Sequence, residues 1–174
     1  MKEMIHYGLV LSFICLVAGG LLAGVYSLTN PKIISQAQAE EVASLKEVVP
    51  LAETFEPVKS VEDILYYNAY DKEKKLIGVA FKASGKGYSS TIETMVGMLK
   101  DGTITAIKVV SQNETPGLGA RVVEPAFTGQ FSNKNAQSLR DVQAITGATI
   151  SSKSVIDAVT KKSEEIKKLI QNEK

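Results

Sequence analysis

An uncharged, largely aliphatic run near the N-terminus constrains this chain most strongly. Residues 7–28 read YGLVLSFICLVAGGLLAGVYSL, and none of these side chains is charged. As a helix rising about 1.5 Å per residue, the run would extend about 33 Å, which matches a bilayer hydrocarbon core of about 30 Å. A helix of this length in a soluble core would show a polar face, and this run has none. The run therefore predicts one membrane span.

A cleavable signal peptide is the alternative for this run, because Lys2 precedes it. The run is longer than the roughly 7–15 apolar residues of a signal peptide, and no clear small-x-small cleavage site follows it. We therefore favour a retained anchor. The positive charges are nearly balanced across the span, with Lys2 on one side and Lys32 and Lys46 on the other. The usual arrangement of an N-terminal anchor predicts a cytoplasmic stub (residues 1–6) and an extracytoplasmic remainder.

Composition excludes several function classes. The 20 Lys+Arg and 19 Asp+Glu residues give a net charge of +1, which argues against nucleic-acid binding. The one cysteine, Cys15, lies inside the span, so the rest of the chain has no thiol chemistry. The one histidine, His6, lies at the membrane edge, which excludes Ser-His-Asp, Cys-His and multi-histidine metal mechanisms.

Patterning after the span predicts an α+β domain. Pro31 is expected to end the span, and a juxtamembrane helix and connection are expected within residues 29–60. Four β-rich runs then follow within a domain assigned to residues 61–174: 65–71, 76–84, 91–100 and 103–110. Asp101-Gly102 is a strong hairpin signal, so we expect an antiparallel sheet. Residues 151–171 show helical periodicity with Lys and Glu on one face, which predicts a closing amphipathic helix.

Two segments outside these elements are candidates for function. Residues 111–125 contain two glycines and two prolines and are expected to form an ordered, irregular loop. Residues 144–152, AITGATISS, come directly before the last helix, whose first N–H groups form a potential anion site. Thr149 would place a hydroxyl there. The residues alone favour the simpler reading, in which Thr149, Ser151 or Ser152 is an N-cap.

These segments resemble a known family. The run TGAT at residues 146–149, followed by a helix, resembles the S/T-G-A-T motif of the FMN-binding domain family, whose last Thr is esterified to the FMN phosphate by a flavin transferase that uses FAD. The run ETPGLG at residues 114–119 resembles a loop of the G subunits of Rnf electron-transport complexes, and Gly87-Tyr88 with Ile92 is similar to the family's G-Y-x-x-x-I start of a strand. The resemblance covers essentially the whole chain, and the C subunit of Na⁺-translocating NADH:quinone reductase shares the motif.

The resemblance implies covalent FMN at Thr149. It assigns to the cofactor a further set of small, polar and apolar residues from the same two motifs and from the strand start. These are Thr146, Gly147, Ala148, Ser151, Glu114, Thr115, Pro116, Gly117, Leu118, Gly119 and Tyr88. In the loop the expected alternative is a structural turn. For Glu114 the alternatives are a bond to a ring nitrogen or to a backbone amide, and Tyr88 either stacks near the flavin or is an exposed strand tyrosine.

One position departs from the family pattern. The family often has Asp three residues before the Ser/Thr of the motif, whereas this chain has Gln143 there and Asp141 two residues earlier. If that Asp assists the transferase or binds its metal, attachment is less efficient here. Thr149 remains the expected attachment site.

The resemblance implies an electron-transfer subunit without catalytic activity of its own. Its expected partners are the other membrane and redox subunits of an Rnf-type ferredoxin:NAD⁺ oxidoreductase that translocates Na⁺ or H⁺, and the flavin transferase. Two alternatives stay open: a free-standing anchored flavoprotein of an extracellular electron-transfer chain, and a non-redox binding module in which TGAT is only a helix cap.

Overall fold

A long helix forms the N-terminal part of the computed structural model, which describes residues 2–59 and 64–172. This helix, α1, runs Lys2–Val48 and includes the one described stretch that is long and apolar enough to cross a membrane. The chain divides into two compact units, residues 1–40 and 41–174. The boundary assigned from the sequence at 60/61 falls outside the described residues.

The expected juxtamembrane helix is not a separate element, because α1 continues through Pro31. A proline removes one N–H donor and disturbs one turn. A long helix keeps its remaining backbone hydrogen bonds, so the loss of one donor does not have to end it. Residues 33–48 therefore belong to α1 and form no separate helix.

Five antiparallel strands follow in a simple meander, each paired with its neighbours in chain order. They are β1 (Thr54–Lys59), β2 (Ile64–Tyr70), β3 (Leu76–Lys86), β4 (Thr91–Leu99) and β5 (Ile104–Ser111). The α+β class and the four predicted strands are confirmed. The sequence reading missed β1, whose TFEPVK contains Pro57 and two charged residues and is mostly exposed. Proline is tolerated in an edge strand because its missing N–H is not needed for pairing.

Between β5 and the last helix the chain forms short helical turns. These are Gly119–Val123, α2 (Pro125–Thr128), Gly129–Phe131 and Ser138–Asp141. The expected irregular loop at residues 111–125 thus holds a helical turn from Gly119 onward. The turns bury Phe127 and Phe131, whose rings meet edge to face at 5.4 Å. Helix α3 runs Thr149–Asn172 and begins two residues earlier than expected.

Both faces of the sheet are covered. One face packs against α3 and the short turns, and its core includes Phe81, Val96, Leu139 and Val159, which are all fully buried. The other face packs against the C-terminal end of α1 and the following turn. The residues of this second cluster are Leu45, Val48, Val49, Ala52, Ala69, Ala80 and Met95. Residues alternate between the two faces along β3 and β4, as the period of two in a strand requires.

Candidate functional site

The start of α3 is set by a tight turn and a buried serine. Gly147 has φ +82°, a left-handed conformation that favours glycine, and the turn is closed by the Ala148 N–H donating to the Ile145 carbonyl at 2.9 Å. Ser152 Oγ accepts the Ile145 N–H at 3.0 Å and donates to the Ala148 carbonyl at 2.9 Å. The motif therefore ends in a fixed turn, and Thr149 follows it as the first residue of the helix.

The two hydroxyls in the first turn of α3 have opposite environments. The Ser151 side chain is buried, with the residue 2% exposed, and its Oγ donates to Glu114 Oε2 at 2.6 Å. Thr149 is exposed, and its hydroxyl has no hydrogen-bond partner among residues 2–59 and 64–172. Thr149 is therefore not acting as an N-cap, and its hydroxyl is accessible to a ligand or an enzyme.

Glu114 is buried at the centre of a hydrogen-bond network. Its Oε1 accepts the N–H groups of Ser89 at 3.0 Å and Ser90 at 2.9 Å, and its Oε2 accepts the Tyr88 N–H at 3.1 Å. Burial alone raises the pKa of this carboxyl, but the Ser151 hydroxyl and the three backbone N–H groups lower it to about 2. Glu114 is therefore ionised at neutral pH. Of the two alternatives, the structure supports the bond to backbone amides.

The loop that follows Glu114 packs closely on this network. Gly119 is buried, and a Cβ there would lie 2.6 Å from Ser151 Oγ and 2.7 Å from Glu114 Oε2. A side chain at this position would collide with both groups, so the loop needs glycine here. Leu118 turns outward and is 50% exposed.

A groove of about 400 Å³ opens between the turn after β3, this loop and the start of α3. Its walls combine residues from all three segments. They are Tyr88, Glu114, Thr115, Leu118, Gly119, Gly147, Ala148, Thr149, Ile150 and Ser151. The two motifs, which are more than 20 residues apart in the chain, thus line one groove.

Most residues expected at the cofactor line this groove, and three do not. Thr146, Pro116 and Gly117 are exposed and lie outside its lining. Ile150, 55% exposed, lines the groove and was missed by the sequence reading. An exposed apolar residue in the first turn of an amphipathic helix was the available signal. Tyr88 also lines the groove, but it sits in the turn before β4 and not in a strand.

The residues present fit a flavin phosphoester. A groove of about 400 Å³ lies within the roughly 300–1,000 Å³ of typical cofactor sites. Leu118, Ile150 and Tyr88 provide apolar walls, which suit an isoalloxazine ring. The first N–H groups of α3 have no partner inside the helix and are suited to a phosphate, with the Thr149 hydroxyl beside them.

The residue that departs from the family pattern is also exposed. The Gln143 N–H donates to Gln130 Oε1 at 2.9 Å, while the Gln143 side chain is exposed and outside the groove lining. Asp141 is exposed at the end of a short helical turn. Neither side chain lines the groove.

Comparisons with known proteins agree with this geometry. Residues 87–164 match the family model described as FMN-binding domain, and residues 1–48 match the one described as RnfG N-terminal region. The chain is 34% identical to the G subunit of the proton-translocating ferredoxin:NAD⁺ oxidoreductase complex of Clostridium ljungdahlii, over 90% of this chain and 88% of the relative. It is 33% identical to the G subunit of the ion-translocating oxidoreductase complex of Methanosarcina acetivorans, over 91% of this chain and 92% of the relative.

A third relative is the G subunit of the Na⁺-translocating ferredoxin:NAD⁺ oxidoreductase complex of Acetobacterium woodii, which is 31% identical over 91% of this chain and 89% of its own length. The matches extend over nearly the whole chain, from the apolar helix to the FMN-binding domain. The chain therefore belongs to the family of G subunits of ion-translocating oxidoreductase complexes and contains that family's FMN-binding domain.

Proposed function

We propose that this protein is the covalently flavinylated electron-transfer subunit of a membrane-bound Rnf-type complex. Such a complex couples electron transfer between ferredoxin and NAD⁺ to translocation of Na⁺ or H⁺, as the names of two of the relatives state. One observation carries the proposal: both family motifs line a single groove, and the exposed Thr149 is part of that lining. The other subunits of the complex are its expected partners.

The chain's own residues hold and shield the cofactor. Thr149 carries the phosphoester, and the first turn of α3 offers N–H groups to the remaining phosphate oxygens. Leu118, Ile150 and Tyr88 limit the access of water to the ring. When bound, the flavin supplies the redox chemistry, and the protein sets its position and surroundings. A covalent link prevents loss of the flavin to a dilute compartment.

Attachment requires a second protein, a flavin transferase with FAD as donor. In this step Thr149 Oγ1 would bond to the FMN phosphorus of FAD as the P–O bond to the AMP phosphate breaks. AMP would leave with the electron pair, and the hydroxyl proton would pass to solvent. The Thr149 hydroxyl is exposed, as this reaction requires.

The apolar part of α1 is proposed to anchor the protein as a single span, with the flavin domain outside the cytoplasm. A Lys161→Cys variant tests this orientation, since Lys161 is exposed on α3 and Cys15 lies within the apolar stretch. We expect an impermeant thiol reagent to label the variant on intact cells and to leave the parent unlabelled. Labelling only after permeabilisation would contradict the orientation.

The attachment site is tested by Thr149→Ala with Thr146→Ala as its matched control. Both chains are coexpressed with a flavin transferase, and covalent flavin is read from in-gel fluorescence after denaturation. We expect Thr149→Ala to fold and to lose all covalent fluorescence. Thr146→Ala should keep the covalent fluorescence, because the Thr146 hydroxyl lies outside the groove and is not the acceptor. The level should be reduced, because the substitution disturbs the turn before α3. Full fluorescence in the Thr149 variant would contradict the proposed site.

A second measurement separates the complex subunit from a free-standing flavoprotein. The tagged protein is purified from solubilised membranes of its native cells. Other integral-membrane redox subunits should copurify with it, and a flavinylated chain without partners would favour the free-standing alternative. The non-redox binding module is disfavoured, because Thr149 in the TGAT run does not act as a helix cap.

A further inference from the structure

Glu114 connects the three segments that surround the groove: the turn 87–90, the loop 114–119 and the first turn of α3. We propose that Glu114 is a positioning residue of the flavin-attachment site. Its carboxylate fixes the first turn of α3 and occupies the Ser151 hydroxyl, so that Thr149 is the hydroxyl offered for modification. This inference rests on the proposed function and assigns to Glu114 a role that requires no contact with the flavin.

Hydrogen bonds from the protein itself occupy the acceptor positions of the Glu114 carboxylate. Both oxygens accept two or more hydrogen bonds, from the N–H groups of Tyr88, Ser89 and Ser90 and from the hydroxyls of Ser90 and Ser151. A carboxylate has about four acceptor positions. With the residue only 5% exposed, a flavin ring nitrogen would have to displace one of these donors. Glu114 therefore acts through the backbone that it holds.

The same network separates the two hydroxyls of the helix start. Ser151 lies two residues after Thr149, so position in the sequence does not decide between them as acceptors. Ser151 Oγ donates its proton to Glu114 at 2.6 Å and is 2% exposed, whereas Thr149 is exposed and unpartnered within the described residues. A transferase must reach the oxygen that attacks phosphorus. Of these two hydroxyls, the exposed one of Thr149 meets this requirement and the buried one of Ser151 does not.

The network also has little freedom to rearrange. A Cβ on Gly87 would lie 2.6 Å from Glu114 Oε1, and one on Gly119 would lie 2.7 Å from Oε2. Backbone thus approaches the carboxylate from both sides. Because interiors are close-packed, a change of hydrogen-bonding pattern at Glu114 cannot be absorbed by side-chain motion alone and is transmitted to the three segments.

The test uses Glu114→Gln in the full chain, with Glu124→Gln as its matched control. The amide keeps the size of the carboxylate but has one acceptor oxygen, so it cannot accept the N–H of Tyr88 together with those of Ser89 and Ser90. Glu124 is an exposed carboxylate paired with Arg121 and does not line the groove. Unmodified chains in detergent are incubated with FAD and a purified flavin transferase at a temperature where all variants are folded.

We expect kcat/KM for covalent loading to fall about tenfold in Glu114→Gln, which corresponds to loss of one charge-assisted hydrogen bond, and to stay within about twofold in Glu124→Gln. In the parent chain, mass spectrometry should find flavin on Thr149 only. In a Thr149→Ala chain, it should find no flavin on Ser151. Loading of Glu114→Gln at the parental rate, or flavin on Ser151 in the Thr149→Ala chain, would overturn the proposal.

Hydrogen exchange gives a readout that does not depend on the flavin. The amides of Tyr88, Ser89 and Ser90 donate to Glu114, and the Ser152 amide closes the first turn of α3. In Glu114→Gln these amides should exchange faster, while the strand amides of β3 stay protected. Unchanged protection would contradict the positioning role. A parent chain that takes up no flavin would contradict the proposed function, whereas unchanged protection in a chain whose parent does take up flavin would contradict the positioning role alone.

Discussion

The two faces of the sheet differ in how they distribute polar and apolar groups. The face that packs against the C-terminal end of α1 buries a cluster of apolar residues, and its polar side-chain contacts include Tyr67 to Glu41 at 2.9 Å and Lys108 to Glu47. Where α3 begins, the arrangement is reversed: a carboxylate and a serine are buried, while Leu118 and Ile150 are exposed. Exposed apolar groups around a buried polar network favour ligand binding over stability. Function is therefore expected at the start of α3.

The contrast between the two faces can be tested by removing one buried side chain from each face. Met95 and Ile92 lie on the same strand, β4, and are both 1% exposed, but Met95 belongs to the α1 face and Ile92 to the α3 face. Met95→Ala and Ile92→Ala should each lower the free energy of unfolding by about 2–5 kcal/mol because each leaves a cavity. Denaturant unfolding measures this effect.

Only the Ile92 variant should also change the flavin spectrum. A Cβ on Gly87 would lie 2.9 Å from Ile92 Cδ1, so Ile92 supports the turn that donates to Glu114. Met95 belongs to the cluster on the α1 face and is not among the described residues that line the groove. A spectral change of equal size in both variants would show that the two faces are coupled, and the comparison would fail.

The second predicted effect is a loss of folding stability in acid, caused by protonation of Glu114 beside the groove. The pKa of Glu114 is about 2 in the folded chain, below its ordinary value of 4.5, because the Ser151 hydroxyl and the backbone N–H groups outweigh the effect of burial. The unfolded chain therefore binds a proton first as the pH falls. The stabilisation is fully present above pH 4.5 and is lost between about pH 4.5 and pH 2.

The free energy of unfolding, measured by denaturant titration across this range, should fall less steeply in Glu114→Gln than in the parent. Asp101→Asn is the comparison variant, because it removes an exposed carboxylate and Glu114→Gln removes a buried one. Hydrogen bonds from Thr103 at the β4–β5 turn also lower the pKa of Asp101. Equal slopes for the parent and Glu114→Gln would show that the buried carboxylate does not control acid stability.

The sequence predicted most of the residues that line the groove but not the hydrogen bonds that hold them together. TGAT and ETPGLG are local motifs, so their residues are readable without a structure. The bond between Ser151 and Glu114 joins residues 37 apart, and no local pattern indicates it. Ile150 was missed although it is an apolar residue in the first turn of an amphipathic helix, because its position on the groove side of α3 depends on how the helix packs.

The fold was predicted where the local sequence carries a clear signal. β2 to β5 were found as β-rich runs separated by short turn segments, and α3 was found by its amphipathic spacing. β1 was missed because its pairing with β2 outweighs the weak strand propensity of a segment containing Pro57. A break between two helices at Pro31 was expected and is absent from α1, because the rule that proline stops a helix is weaker in a long apolar helix than in a short soluble one.

Of the substitutions considered, Leu118→Ala is expected to have the smallest effect on stability and an effect that is specific to the groove. Leu118 lines the groove and is 50% exposed, while Val123 in the same segment is 49% exposed and lies outside its lining. Leu118→Ala and Val123→Ala should each change the free energy of unfolding by no more than about 0.5 kcal/mol, because both side chains are already largely in water. Stability therefore cannot account for any difference between them.

The reduction potential of the attached flavin should separate these two variants. Shortening Leu118 admits water to one wall of the groove, and a more polar environment favours the negatively charged reduced form. The potential should therefore rise in Leu118→Ala and stay unchanged in Val123→Ala, with covalent attachment complete in both. Redox titration of the denaturation-resistant flavin gives this comparison directly. Equal potentials in all three chains would mean that the ring does not lie against Leu118, and ETPGLG would then serve only to bring Glu114 to the start of α3.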